Sequence, residues 1–147
     1  MKNIKGQSMF EVILAIFIMA LIIVGVVILS TSSIANSTFS KNKTLAGRYT
    51  QEAIEWLRSQ RDLDMTTFRT KVATSPYCFD SLSWSNLGVC GSTEVITNTP
   101  FKRDVTLTES TISGKNVIEV TVVVSWSDPK GEHEVRSVTD FTDIREL

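Results

Sequence analysis

Histidine, cysteine and proline are scarce in this chain of 147 residues, with one, two and three copies respectively, and each scarcity removes a class of function. A lone His133 has no companion ligands for a zinc site and no partners for a Ser-His-Asp triad, since both need several such groups converging on one point. Cys78 and Cys90 have eleven residues between them in the sequence, without redox or metal-ligand spacing, and no glycine-rich phosphate loop is present. A net charge of −1 leaves no basic footprint for nucleic acid. The expectation is therefore no catalytic residue, no metal and no cofactor: a chain that is not an enzyme.

Charge is also missing where it would be most noticed. From Val12 to Leu29 the sequence runs VILAIFIMALIIVGVVIL, eighteen residues without a polar side chain. A helix of about 20 residues rising ~1.5 Å each matches a hydrocarbon core about 30 Å thick, so the run predicts a transmembrane helix in the lipid bilayer. Lys2 and Lys5 precede it and no charge follows until Lys41, which predicts a cytoplasmic N-terminus and an extracytoplasmic body. In an oxidising compartment an even pair of cysteines predicts a bridge between Cys78 and Cys90. Glu11 breaks the pattern. With Met9 and Phe10 before it, this carboxylate falls inside the hydrophobic segment, where an ionisable side chain calls for a function and a partner.

Beyond Leu29 comes a hydroxyl-rich stretch, Ser30 to Thr38, whose composition alone suits a loop. Periodicity argues for helix: at 100° per residue Ile34, Ala35, Thr38, Phe39, Leu45, Ala46, Tyr49, Ala53, Trp56 and Leu57 share one side, with Lys41, Arg48, Gln51, Glu52, Glu55 and Arg58 on the other. The expectation is a helix from about Phe10 to Arg61, supported by i,i+4 pairs Arg48 with Glu52 and Arg58 with Asp62. Asp64 is placed to cap a short helix carrying Phe68 and Val72. Residues 74–100 read as a long loop punctuated by Pro76, Gly88, Gly91 and Pro100, stapled by the cysteine bridge, with Tyr77, Phe79, Leu82, Trp84 and Leu87 packed beneath it. Strict alternation then marks strands through Phe101–Leu107 and Ile118–Trp126, with a third from about Glu132 to Phe141 and turns at Ser113-Gly114 and Asp128–Gly131. The fold class expected is α+β, a long N-terminal helix covered by a small antiparallel sheet whose Val120, Val122, Val124 and Trp126 face the helix. Two glycosylation tripeptides begin at Asn36 and Asn42.

The leader with Lys2, Lys5 and Gly6, the Glu11 that follows at fixed spacing and the long apolar run together resemble the class III signal of type IV pilins and the pilin-like subunits of related secretion machines. That resemblance implies cleavage between Gly6 and Gln7 by a prepilin peptidase, N-methylation of Gln7, and retention of the hydrophobic segment as an assembly helix. It also implies a role for Glu11 in neutralising the terminal amine of a neighbour's Gln7. The domains it implies are a leader over 1–6, a transmembrane and assembly helix over 7–29 and an extracytoplasmic domain over 30–147, made of helix 30–62, stapled loop 74–100 and sheet 101–141. Partners would be other pilin-like subunits, the peptidase and a membrane assembly platform, in a pilus or a pseudopilus of the type II secretion kind. Major pilins tend to carry a proline in the membrane segment, and none stands between Val12 and Leu29. Phe101-x-Arg103-x-Val105, Val120-x-Val122-x-Val124-x-Trp126 and the closing Thr142-Asp143-Ile144-Arg145 are similar to minor pilins and pseudopilins. Two rivals compete with this reading. One is a domain secreted after a conventional cut at Ser33-Ile34-Ala35; the other is a signal-anchored binding protein that never polymerises.

Overall fold

The computed structural model describes residues 9–112 and 115–142. Lys2, Lys5, Gly6 and Gln7, the Ser113-Gly114 turn and Asp143 to Arg145 lie outside the described residues. The architecture is α+β, a long N-terminal helix and a five-stranded antiparallel sheet. Helix α1 is Met9–Leu63, and the chain divides into two compact units, Met1–Lys41 and Asn42–Leu147.

In the first unit every described residue from Met9 to Lys41 is helical, including the hydroxyl-rich stretch. Thr31 shows how such a stretch stays helical: its Oγ1 donates back to the carbonyls of Val27 and Ile28, both at 3.0 Å. The hydroxyl is thereby satisfied without pulling the main chain out of its ladder.

The second unit begins on the C-terminal half of α1. Ala46, Thr50, Ala53, Ile54 and Leu57 are its buried stripe, a set at i, i+4, i+7, i+8 and i+11 that forms one face. Small residues at 46 and 53 allow close approach, and the Thr50 hydroxyl is satisfied by the Ala46 carbonyl at 2.8 Å. The larger Leu45, Tyr49 and Trp56 flank the stripe half-buried. After Leu63, Asp64 caps α2, Met65–Thr70, by accepting from the Thr66 and Thr67 amides, which meets two of the donors every helix start leaves free. A 3-10 turn, Lys71–Thr74, follows.

The strands are β1 Tyr77–Cys78, β2 Asn86–Leu87, β3 Lys102–Ile112, β4 Lys115–Asp128 and β5 Gly131–Thr142, in the order β2-β1-β3-β4-β5 with every neighbour antiparallel. Alternation along β3 and β4 is real and deep: Arg103, Val105 and Leu107 with Val120, Val122, Val124 and Trp126 are buried, while Thr106, Thr108 and Glu119 are exposed. Just before β1 begins, the Ser75 hydroxyl accepts the Leu107 amide at 2.7 Å in place of a strand carbonyl. The β4–β5 turn closes with Asp128 Oδ1 accepting the Lys130 amide at 2.7 Å and with Gly131 at φ 131°, a conformation open to glycine.

Three expectations are corrected. Residues 74–100 are not loop throughout, because Tyr77–Cys78 and Asn86–Leu87 pair as strands. Leu87 is not packed beneath that segment but 65% exposed, on the sheet's outermost strand. Of the two helix pairs, Arg58 bonds Glu55 rather than Asp62, and Glu52 is drawn to Arg103 from β3 rather than to Arg48. A fixed guanidinium from the sheet outcompetes a flexible side chain on the same helix.

Candidate membrane and assembly site

Glu11 stands in the first turn of α1, where the unpaired amides of the helix start favour a negative side chain. Behind it, the side chains from Val12 to Leu29 are exposed all round the helix, with values such as 60% for Phe17 and 72% for Leu29. A helix apolar on every face has no aqueous solution that suits it; it belongs in lipid or among other such helices. Among the described residues, α1 is the one helix long and apolar enough to cross a membrane.

The second unit carries the other predicted pair. Cys78 and Cys90 are joined, with Cα atoms 4.7 Å apart. Cys78 pairs in register with Asp104, so both side chains leave the sheet on the face opposite the one that Tyr77 and Val105 share. Asp104 Oδ1 accepts the Cys90 amide at 2.6 Å. Burial raises the Asp104 carboxyl above its ordinary value, against the lowering effect of that amide and of Lys102.

The alternation along Phe101–Leu107 puts Arg103 on the same side of the strand as Phe101, Val105 and Leu107, and the sequence reading gave it no role. Its side chain is 2% exposed, and its Nε donates to the Phe79 carbonyl at 3.0 Å. Its Nη1 donates to the Tyr49 carbonyl at 3.2 Å and to Glu52 Oε2 at 3.0 Å. One guanidinium thus ties helix, stapled segment and sheet together, and the Arg103 carbonyl in turn accepts the Phe79 amide at 2.7 Å. Desolvation lowers the Arg103 pKa, with Glu52 opposing it. The signal was an arginine at an alternating core position, which needs buried acceptors.

Around it Trp56 of α1 meets Phe79 at 5.3 Å and Trp84 at 5.2 Å, and Trp84 meets Tyr77 at 4.9 Å, so this part of the stapled segment is packed, not displayed. His133 is half-buried against Trp126, and its Nε2 lies 3.0 Å from Asp128 Oδ1. That contact holds the Asp128 carboxyl below its ordinary value. Among the described residues no three His, Cys, Asp or Glu side chains gather as a metal site. No protein-family model, curated protein or solved structure gives a match to this chain.

Proposed function

We propose that this chain is a pilin-like structural subunit, held in the cytoplasmic membrane by the N-terminal part of α1 and drawn from there into a helical filament of a type IV pilus or a secretion pseudopilus. The observation that carries the reading is the succession, along one chain, of an apolar helical stretch whose side chains are exposed, with Glu11 at its start, and a small disulfide-bonded sheet domain. In the filament the apolar helices would exchange lipid for one another, and Glu11 would offset the amine of a neighbour's Gln7. The work is assembly, with no reaction to catalyse. A prepilin peptidase would prepare the subunit by cutting after Gly6 and methylating Gln7, and a membrane platform would extract it. The missing proline between Val12 and Leu29 favours a minor over a major subunit. The sheet domain would lie outside the cytoplasm, where its bridge is stable.

Mass spectrometry of the N-terminal peptide from the native host tests this. The expected mature chain starts at Gln7 with a methylated amine. A start at Asn36 would mean a secreted domain, and an intact Met1 a signal anchor; either result removes the subunit reading.

A further inference from the structure

On one side the sheet ends in the two-residue β2, and on the other in β5, twelve residues long. A strand at the edge of a sheet presents a row of unpaired main-chain donors and acceptors, which proteins commonly guard by a short strand, a proline, a lysine or a bulge. β5 has none of these guards. Its register with β4 runs unbroken from Val117 with Thr142 to Asp128 with Gly131, and residues 131–142 include neither proline nor lysine. The charges that β5 does carry are mostly acidic, and they select what can pair with it.

Hydrogen bonds on the far side of the sheet fix which residues look outward. The Leu107 amide and the Arg103 carbonyl point away from β4, to Ser75 and to Phe79. Bonding alternates along an antiparallel ladder, so their register partners Val120 and Val124 turn the other way and bond β5 at Thr139 and Val135. Glu132, Glu134, Arg136, Val138 and Asp140 therefore direct their N–H and C=O groups to the open edge. Their side chains all stand on the exposed face, with Val138 at 52%.

That face of β5 sets three carboxylates against one guanidinium, and Arg136 already contacts Glu134 at 3.6 Å. Asp140 faces Glu119 of β4 across the ladder, and the residue facing Glu119 from β3 is Thr108. Like charges directly opposite each other are unfavourable, and neither acid has an ion pair among the described residues.

We propose that the β5 edge is a docking site for an extended segment of another polypeptide, which joins the five-stranded sheet as a further strand. Its main chain takes up the outward donors and acceptors, and its alternate side chains give selectivity: basic opposite Asp140 and Glu134, apolar opposite Val138. A second copy of this chain is the poorer match, because its own β5 brings the same surplus of acid. The proposal rests on the sheet and not on the subunit reading.

The test titrates the full chain, in nonionic detergent, into a fluorescent peptide. Laid antiparallel along 132–140, the peptide sets lysine opposite Glu132, Glu134 and Asp140, valine opposite Val138 and threonine elsewhere. Anisotropy is expected to show saturable binding. Methylating the peptide's lysine and valine amides keeps its charge but removes its strand donors, and should weaken binding about tenfold; glutamate in place of the lysines should do the same. In the chain, Val138→Pro removes one outward N–H and spares the ladder to β4, and it too should weaken binding about tenfold. Asp140→Lys should reverse the preference at that position, so that a peptide with glutamate there binds the better. An intact Cys78–Cys90 bridge and an unchanged thermal transition show that a variant is folded. No saturation, equal binding of the methylated peptide, equal binding of the glutamate peptide, or indifference to Asp140→Lys overturns the proposal. So does a spontaneous disulfide between two copies of a Val138→Cys variant, which would mean that a second copy covers the edge.

Discussion

Arg103 and Asp104 are neighbours on β3 with opposite energetic characters. Arg103 is buried with its Nε and Nη1 engaged, so replacing it by Met keeps volume but leaves the Phe79 and Tyr49 carbonyls without its donors. Bonds from a charged donor are worth about 1.5–3 kcal/mol, and Arg103→Met should destabilise by that order. Glu52→Gln should cost less than about 1 kcal/mol, because Glu52 is 50% exposed and water already screens its pairing. Thermal unfolding of the full chain in detergent separates the two; equal losses would mean that the ion pair, not the carbonyl clamp, is what matters. Asp104 works the other way. Its carboxyl is raised in the folded state, so the native protein binds more protons than the unfolded chain just above the ordinary value of 3.8, and stability from this group declines as pH rises through that window. Asp104→Asn keeps an acceptor for the Cys90 amide and removes the charge, so the variant should be the more stable at neutral pH, with the difference shrinking below 3.8. Asp128, lowered by His133, has the opposite sign and should contribute stability above that range that is lost on acidification through its folded value.

Elements differ in how much of themselves they announce. The apolar run and the stripe after it extend over many turns, so α1 could be read from periodicity even through the hydroxyl-rich Ser30–Thr38. β3, β4 and β5 are eleven to fourteen residues long, and buried and more exposed positions alternate over enough of each for a period of two to show. Tyr77–Cys78 and Asn86–Leu87 have two residues each and so carry no period; the first is a strand because β3 offers an edge and the second because β1 then does, not because of their own sequence. The bridge was legible from the even cysteine count and the oxidising compartment the sequence leads one to expect, whereas the partner of Glu52 was not. A local rule sees Arg48 four residues back; the true partner lies 51 residues ahead and reaches Glu52 only after the sheet has formed. Leu87 was misjudged for a related reason. The sequence places it among aromatic neighbours, but its position on the last strand of the sheet leaves nothing beyond to cover it.

At the scale of the whole molecule, the proposed subunit reading turns on what Glu11 would do in a filament, and Glu11→Ala separates two answers. Alanine preserves helix propensity and makes the segment more apolar, so insertion, processing and membrane abundance should be unchanged. If the carboxylate only complements the positive start of α1, its loss costs about 0.3–1 kcal/mol within one chain and nothing between chains. If it offsets the amine of a neighbour's Gln7, its removal leaves that amine buried among apolar helices without a counter-charge, and uncompensated buried charges cost several kcal/mol. A penalty of that size at each subunit junction exceeds what a filament made of weak repeated contacts can absorb. The expected result is a normal membrane pool with recovery in sheared surface fractions reduced at least tenfold. Glu11→Asp should be intermediate, since it retains the charge on a shorter arm. Quantitative immunoblotting of the two fractions decides: a wild-type ratio for Glu11→Ala would leave Glu11 a helix-start residue only, and assembly would have to be carried by the apolar faces of α1 alone.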